Sequence, residues 1–519
     1  MGKSLCVIGA GPSGLTVMKQ LLDQGHKVVC FERHHEIGGV FAKRNTYESC
    51  LLTISNLFMA YSDHMPMNER IKFQTRGEYC TYLHSYAEKF SLIPHIEFNT
   101  IVEDIDKTDD GATIKTTSMN GENPRTYNFD GVIVCTGSFQ KAKYPNEIPG
   151  FETFQGDILH TAQYHNNVEP DLTDKRVLCI GMGESAADVV TEIGDVAKRC
   201  ILSMRRYCNV APRNLPFADG YFTIDTATTR LFNRVSGWIN SFWHTNLFRK
   251  QKNSIDPAIA LRGEWCLKAG NEPNQVITKN ERIFNSIIDG KVIPNTVGIE
   301  KITENSVLFK DGVQEEIDTI MCCTGFRMAF PFLKNEYSFT NPRLLYKHMF
   351  HPELGKKIVF AGFVRPQQGG VPVIAEMQGR YLALLYNDDV SLPPEDQLPA
   401  LIQADKESEE REFYITPYVT SLVNYSHYME SLGRLIGCSP EVSWFKDFKL
   451  ASKIWLGPHF AIQYRLNGPQ AFKEEDQKEI RHFLRTFPLY FPKSTYALLI
   501  GGWILGTLFP FIQKFRKRP

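Results

Sequence analysis

The sequence lacks the patterns that would assign it to several common protein classes. Lysine and arginine together number 58, as do aspartate and glutamate, so the chain has no net charge to attract nucleic acid or an acidic substrate. The twelve cysteines include no C-x-x-C pair, and the fourteen histidines include no H-E-x-x-H pattern. We therefore predict no metal site, no dithiol redox centre and no nucleic-acid partner.

No N-terminal signal peptide is expected, because an apolar run typical of a buried strand starts at Ser4. Together with the scattered cysteines, this predicts that the catalytic body works in a reducing compartment. A length of 519 residues exceeds what one hydrophobic core usually fills. Two or more domains are therefore expected.

What the sequence does contain is a glycine-rich nucleotide fingerprint, G-A-G-P-S-G, at residues 9–14. It follows a short apolar run and precedes a stretch with helical spacing, which is the strand, turn and helix order that the motif requires. Gly9 permits the turn, Gly11 lets backbone amides approach a pyrophosphate, and Gly14 lets the helix pack on the strand. Glu32 ends the next strand, where a carboxylate can accept the hydroxyls of an adenosine ribose.

A second fingerprint, G-M-G-E-S-A, occupies residues 181–186 and supplies the candidate cofactor contacts Gly181, Gly183, Ser185 and Ala186. The strand that follows it ends in Arg205 and Arg206 rather than in an acid. Guanidinium groups there suit a 2′-phosphate, whereas a carboxylate would repel one. The second site is therefore predicted to bind NADPH in preference to NADH.

Other short motifs favour FAD in the first site. Glu32 leads into Gly38 and Gly39, a spacing similar to that of flavoproteins that bind two dinucleotides, and Val40 and Phe41 follow directly. Two later apolar runs end in Thr-Gly, which in that class marks strands that cross between domains. These runs add four candidate cofactor contacts: Thr136, Gly137, Thr324 and Gly325.

Between the fingerprints, residues 154–164 fit the pattern F-x-G-x3-H-x3-Y, with His160 and Tyr164 at its last two fixed positions. This stretch resembles the identifying signature of the flavin-containing monooxygenases, and the similarity extends from residue 1 to about 385. The stretch at 372–380 resembles the same family and adds Gln378 to the expected cofactor contacts. The resemblance implies FAD and NADPH as cofactors, with O2 as co-substrate.

The sequence departs from the family pattern near the flavin. The family usually has an asparagine a few residues before the Tyr-Ser-Asp stretch at 61–63; here Thr53 occupies the aligned position and Asn56 is the nearest asparagine. Both stay candidate catalytic residues. Glu184 replaces the usual asparagine of the second fingerprint, and Val40-Phe41 replaces the usual Leu-Trp. These changes bear on substrate range more than on fold.

The C-terminus carries an uncharged run at residues 494–513 with basic residues on both sides. About twenty apolar residues suffice to cross a bilayer, and membrane helices tolerate the glycines and the proline found here. We expect a membrane helix, whether spanning or lying in the interface, and by the family resemblance attachment to the endoplasmic reticulum membrane. The alternative is a buried terminal helix.

The predicted fold class is α/β, with two Rossmann-like dinucleotide-binding domains and the C-terminal hydrophobic membrane helix. Residues 1–170 and 291–385 are expected to form the FAD-binding domain, and 171–290 an inserted NADP-binding domain. Residues 386–492 are expected to wrap around this core before the anchor at 494–513. The oligomeric state is left open, a homo-oligomer included.

By resemblance, the expected activity is an NADPH- and O2-dependent monooxygenase of the N,N-dimethylaniline type. It would oxygenate nitrogen or sulfur in lipophilic amines or sulfides through a flavin hydroperoxide. A Baeyer–Villiger monooxygenase is one alternative, although its signature usually ends in tryptophan where Tyr164 stands. An NADPH oxidase that releases H2O2 and a membrane-tethered binding protein are the others.

Overall fold

The structure is a computed structural model that describes residues 2–166, 168–217, 220–235, 237–270, 277–413, 421–489 and 493–508. Its α-helices are α1 Pro12–Asp23, α2 Asn56–Met59, α3 Arg76–Lys89, α4 Glu184–Val196, α5 Gly237–Lys252, α6 Pro257–Ala269, α7 Arg282–Ile288, α8 Val371–Tyr386, α9 Leu398–Glu412, α10 Tyr425–Ile436, α11 Phe448–Leu456, α12 Glu474–Thr486 and α13 Lys493–Leu508.

The first nucleotide domain is built on a parallel sheet of five strands. In spatial order these are Ile358–Phe360, Gly131–Val134, Ser4–Ile8, Lys27–Phe31 and Ile96–Glu97. Their continuous apolar runs are typical of strands covered on both faces. Leu5 and Val7 belong to a core shared with α1 and α8, whereas Cys6 and Ile8 contact a second core on the opposite face.

The second core lies under an antiparallel sheet formed by Thr100–Lys107, Ala112–Ser118 and Arg125–Phe129. This small sheet covers the face of the parallel sheet that α1 and α8 leave open. The first domain therefore has three layers, as expected for a dinucleotide-binding fold.

A second parallel sheet carries the second fingerprint. Its strands, in spatial order, are Asp157–His160, Thr319–Cys322, Arg176–Ile180, Arg199–Ser203 and Ile293–Asn295. Helices α4 and α7 cover one face, and an antiparallel sheet of Ile299–Ile302, Ser306–Phe309 and Gln314–Glu316 lies against the other. The α/β class and the two Rossmann-like sheets are thus as predicted.

The strand pairing differs from the expected domain boundaries at three places. Strands at 157–160, 293–295 and 319–322 pair within the second sheet, although the ranges 1–170 and 291–385 assigned them to the FAD domain. The physical reason is that Thr319–Cys322 hydrogen-bonds to the fingerprint strand Arg176–Ile180 before the chain returns to the first domain. The second sheet thus includes strands outside residues 171–290, and the domain boundaries stay a prediction.

Short strand pairs join these layers. They are Leu51–Ser55 with Phe73–Thr75, Lys141–Ala142 with Phe326–Arg327, Asn214–Phe217 with Gly220–Thr223, and Arg365–Pro366 with Leu422–Val423. The last pair ties the C-terminal region to the first domain. Helices α10 to α12 pack against the same core as α1 and α8. The wrapping role expected for 386–492 stays a prediction.

The C-terminal anchor is not supported by the structure. No helix among the residues described above is both long and apolar enough to cross a membrane. Helix α13 buries Leu499 against Leu231 and Val235, while Leu498 and Ile504 on the same helix are exposed. Residues 509–513 of the predicted membrane helix lie outside the described residues. Membrane attachment stays a prediction.

Candidate cofactor cleft and active site

The first fingerprint forms the tight turn that its glycines predict. Gly9 has a φ of 101°, and Gly11 is the N-cap of α1. A Cβ on Gly14 would stand 1.8 Å from the carbonyl oxygen of Gly9, so only glycine allows the helix to approach the strand this closely. Glu32 braces the turn, because its carboxylate accepts a hydrogen bond of 2.8 Å from the Ala10 amide.

The predicted FAD contacts Gly38 and Gly39 meet this turn directly. Both have positive φ angles, 113° and 57°, and the Gly38 amide donates to the Ala10 carbonyl at 3.1 Å. A Cβ on Gly39 would lie 2.9 Å from the Cα of Gly11. Of the two residues that follow, Val40 is exposed, and the Phe41 ring packs edge-on against Tyr79.

The two Thr-Gly segments lie beside the two fingerprints. A Cβ on Gly9 would approach the Cys135 carbonyl to 3.0 Å, and one on Gly181 would approach the Cys323 carbonyl to 2.7 Å. Thr136 and Gly137, directly after Cys135, therefore lie beside the turn of the first site. Thr324 and Gly325, directly after Cys323, lie beside the turn of the second site. Just beyond them, segments 141–142 and 326–327 form an antiparallel pair. This pair holds together the two chain segments that cross between the domains.

The signature histidine holds this crossing together. His160 is buried, and its Nδ1 accepts a hydrogen bond from the Ala162 amide, so Nε2 carries the proton and donates to the Gly325 carbonyl at 3.0 Å. Burial lowers the pKa of His160. Tyr164, at the end of the signature, donates to Glu192 of α4. The signature therefore ties helix α4 and the crossing segment at Gly325 together.

The second fingerprint is open where a ligand must approach. Gly181 has a φ of 107°, and Gly183 is the extended N-cap of α4 with nothing within 4 Å of the place where a Cβ would stand. Ala186 is buried against the sheet, as the third position requires, and Ser185 precedes it in the first turn. Past the next strand, Arg205 and Arg206 are exposed.

The two candidate catalytic residues differ in their surroundings. The amide of Asn56 is buried and holds a neighbouring loop, since its Oδ1 accepts from the Lys72 amide at 3.0 Å and its Nδ2 donates to the Arg70 carbonyl at 3.2 Å. Thr53 lies on the strand Leu51–Ser55, and its carbonyl accepts a hydrogen bond of 2.8 Å from Lys279. A catalytic role for either residue stays a prediction.

Gln378 is fully buried and makes its hydrogen bonds to protein atoms. Its Oε1 accepts from the Gly362 amide and its Nε2 donates to the Tyr428 hydroxyl, both at 2.8 Å. A Cβ on Gly362 would stand 2.1 Å from the Ser13 hydroxyl in the first turn of α1. Gln378 therefore fixes the loop that lies against the first fingerprint.

A polar cluster that no motif predicted lies where the two domains meet. The Lys279 amide donates to the Glu184 carboxylate at 2.9 Å, while its ammonium reaches Thr53 of the first domain. Asp225 accepts a hydrogen bond of 2.6 Å from the Ser55 amide. Burial raises the pKa of Glu184 and lowers that of Lys279, although each charge partly offsets the effect on the other.

Only Glu184 of this cluster could be identified from the sequence, because it replaces the asparagine that the family usually has at this position. Lys279 and Asp225 stand in stretches without a motif, so only the tertiary structure brings them together. The cluster joins the strand Leu51–Ser55 to the start of α4.

The residues of both turns fit dinucleotides. At each site a glycine turn leads into the N-terminus of a helix that has no side-chain cap, and such ends bind phosphate groups. Gly183 leaves the space that a pyrophosphate needs, and Glu32 and Arg205 stand at the ends of the strands where ribose contacts are made.

Comparison with known proteins assigns the family. The model of the flavin-binding monooxygenase-like family matches residues 2–489. A protein of Pseudoalteromonas luteoviolacea (strain 2ta16), described as 4-hydroxybenzoate brominase (decarboxylating), is 46% identical over 496 residues, which is 95% of this chain and 93% of that protein. Flavin-containing monooxygenase 5 of Rattus norvegicus is 31% identical over 485 residues, 90% of this chain and 89% of that protein.

Solved structures agree on the fold. The S-allyl-L-cysteine S-oxygenase of Allium sativum superimposes with a TM-score of 0.61 at 20% identity, covering 93% of this chain and 98% of that one. The OTEMO complex with FAD and NADP gives a TM-score of 0.63 at 14% identity, covering 83% and 97%. The chain therefore belongs to the flavin-binding monooxygenase-like family and is an NADPH-dependent flavoprotein monooxygenase with FAD and NADPH as its cofactors.

Proposed function

We propose that this chain oxidises bromide and uses the product to brominate a 4-hydroxybenzoate-like phenolic acid with loss of CO2. One observation carries the proposal, namely 46% identity to proteins described as decarboxylating 4-hydroxybenzoate brominases, over nearly the whole of both chains. Identity to the animal flavin-containing monooxygenases is much lower, about 30%. Bromide and a phenolic acid therefore replace lipophilic amines and sulfides as the proposed substrates.

The chemistry stays within the class predicted from the sequence, because bromide is itself a soft nucleophile. Bound FAD with NADPH and O2 supplies one electrophilic oxygen atom. In balance, NADPH, O2, bromide and two protons give NADP+, water and hypobromous acid. Bromide loses two electrons, NADPH supplies two more, and O2 accepts all four.

Hypobromous acid then delivers electrophilic bromine to the ring carbon that bears the carboxylate. The carbon–bromine bond forms as hydroxide leaves, the bond to the carboxylate breaks, and its electron pair returns to the ring as CO2 departs. A phenol oxygen in the para position activates that carbon. The chain's own task is to bind both dinucleotides at the two helix ends and to keep water from the reacting atoms.

Oxygenation of an amine or sulfide is the second candidate. Its support is the 31% identity to flavin-containing monooxygenase 5 and the 29% identity to the mouse dimethylaniline monooxygenase [N-oxide-forming] 4. The two candidates share the cofactors and differ only in the nucleophile. Product identity therefore separates them.

The test uses the purified full chain loaded with FAD. With NADPH, air and 4-hydroxybenzoate, we expect 4-bromophenol and CO2 only when bromide is added, measured by mass spectrometry and by CO2 release. Parallel reactions with dimethylaniline, a thioether and a ketone lack bromide. An N-oxide or sulfoxide with no bromophenol would favour the second candidate, and a lactone or ester a Baeyer–Villiger enzyme. H2O2 equal to the NADPH consumed in every reaction would indicate an oxidase.

A further inference from the structure

Arg365 stands between the two nucleotide sites. It follows the strand Ile358–Phe360, whose continuing loop touches the first turn of α1 through Gly362. The opposite charge that acts on its guanidinium belongs to Glu184, at the first turn of α4 in the second site. Flavin and nicotinamide must meet between those two helix ends for hydride to pass.

The backbone around Arg365 is firmly held. Arg365–Pro366 pairs with Leu422–Val423, and the Gln367 amide donates to the Val423 carbonyl at 2.9 Å. The next side chain, Gln368, accepts a hydrogen bond of 2.9 Å from the Thr228 hydroxyl. The side chain of Arg365 therefore projects from a fixed strand rather than from a mobile loop.

The guanidinium itself has no partner among the described residues, since it makes no hydrogen bond or ion pair with any of them. Its side chain is exposed, surrounding protein lowers the pKa of the guanidinium, and the Glu184 carboxylate opposes that shift. The guanidinium therefore has hydrogen-bond donors that solvent reaches and that no described residue uses. Such donors can bind an anionic ligand.

Two other cations close to the Glu184 cluster already have partners. The Lys279 ammonium donates to the Thr53 carbonyl, and Arg213 lies 3.6 Å from Asp188 and contacts the Leu51 carbonyl. Arg205 and Arg206 stand where a 2′-phosphate is expected.

We propose that the guanidinium of Arg365 binds the carboxylate of the aromatic substrate. The inference rests on the proposed function, which supplies a substrate that carries one carboxylate. Arginine suits this task because its planar fork donates two parallel hydrogen bonds to a carboxylate. Arg365 is then the residue that selects acids over neutral phenols.

The same contact accounts for product release. Loss of CO2 removes the only anionic group of the substrate at neutral pH, so the bromophenol no longer has a partner for the guanidinium. The product is therefore expected to bind more weakly than the acid from which it came.

The test compares two ligands that differ in charge, 4-hydroxybenzoate and 4-hydroxybenzamide, on FAD-loaded protein by calorimetry. In Arg365→Gln we expect the dissociation constant of the acid to rise by about 10- to 100-fold, the loss typical of a charge-assisted pair, and that of the amide to change less than about twofold. Arg365→Lys is expected to recover part of the affinity for the acid. FAD content is measured in each variant to confirm an intact first site.

Arg125→Gln is the matched control, because Arg125 is an exposed arginine on the antiparallel sheet of the first domain. The inference is overturned if Arg365→Gln weakens acid and amide equally, if the wild-type protein does not bind the acid, or if the substitution weakens NADP+ binding instead. Failure of the proposed function would give a different result. The acid would still bind in a way that depends on Arg365, but the wild-type protein would form no bromophenol.

Discussion

At the residue scale, the glycines of the two fingerprints occupy different surroundings although their motifs look alike. Gly14 is enclosed, because a Cβ there would overlap the Gly9 carbonyl at 1.8 Å. Gly183 faces open space and has an extended φ of −112° that any residue can adopt. The first glycine is therefore required by the fold, whereas the second is required only by a ligand.

This contrast predicts opposite outcomes for two alanine substitutions. Gly183→Ala should leave the free energy of unfolding within about 0.5 kcal/mol of the wild type, as for other exposed positions, and keep FAD bound. Its KM for NADPH should rise by roughly tenfold or more, because the Cβ obstructs the pyrophosphate. Gly14→Ala should fail to yield folded, yellow protein. Steady-state kinetics and denaturant titration provide the readouts; an unchanged KM in Gly183→Ala would contradict the second site.

Arg205 carries a prediction about cofactor choice. Arg205→Ala should raise the KM for NADPH by about tenfold or more, since a charge-assisted phosphate contact is worth about 1.5–3 kcal/mol. The KM for NADH should change far less, because NADH has no 2′-phosphate. Arg206→Ala, measured in parallel, shows whether one or both guanidinium groups contribute. Equal effects on the two cofactors would refute the phosphate contact.

At the scale of elements, the signature segment 157–164 acts as a connector. Its strand is at the edge of the second sheet, and His160 hydrogen-bonds to the segment that returns to the first domain. A motif that identifies the family thus fixes the crossing between domains, and with it the relative position of the two nucleotide sites.

The buried state of His160 predicts a dependence of stability on pH. Its folded-state pKa lies below the ordinary value of 6.5, so the unfolded chain binds the proton more readily and stability is lost as pH falls below about 6.5. His160→Gln can retain the donor to Gly325 without titrating. Between pH 6.5 and 5 the variant should lose less stability than the wild type, by up to about 1.4 kcal/mol per pH unit.

Denaturant midpoints at pH 8, 6.5 and 5 measure this effect. Other buried histidines, such as His459, contribute in the same direction, so the wild-type slope is expected to decrease rather than disappear. The exposed His84 is the matched position, and His84→Gln should follow the wild-type curve. A slope in His160→Gln equal to that of the wild type would contradict the role of His160.

At the scale of the whole molecule, the C-terminal region is joined to the first domain by buried charge. Arg465 lies 2.9 Å from Glu376 and 3.2 Å from Asp63, and Lys19 lies 2.6 Å from Asp63. Burial alone would raise the pKa of Asp63, but Arg465 and Lys19 outweigh it and hold the pKa below its usual value. Two cations thus balance two carboxylates from four separate parts of the chain.

Removal of one cation should therefore be costly. Arg465→Met leaves a buried carboxylate without its partner, and we expect a loss of about 3–5 kcal/mol in the free energy of unfolding. The exposed pair of Lys115 with Asp104 is the control, and Lys115→Met should cost far less than Arg465→Met, because solvent screens an exposed ion pair. Denaturant titration of the FAD-loaded proteins gives both values. Similar losses in the two variants would show that the buried network does not stabilise the fold.

Much of the cofactor cleft could be predicted from the sequence because its parts are local. A glycine turn between a strand and a helix is encoded within a short segment, and Glu32 and the arginines at 205 and 206 follow the next strand in the chain. The polar cluster of Glu184, Lys279 and Asp225 could not be predicted, since three distant segments contribute to it. The substrate class also stays a proposal, because no short sequence motif encodes the residues that would contact the substrate.

The sequence by itself determined the α/β class, the two nucleotide sites and the family, because periodic apolar runs and glycine turns are properties of short segments. Only the tertiary structure decided which strands belong to the second sheet, how His160 joins the domains, and that the loop leading to Arg365 lies against the first turn of α1. Each of these depends on pairing between residues far apart in the chain. Such pairing is selected by burial and hydrogen bonding in the folded molecule, and no local pattern records it.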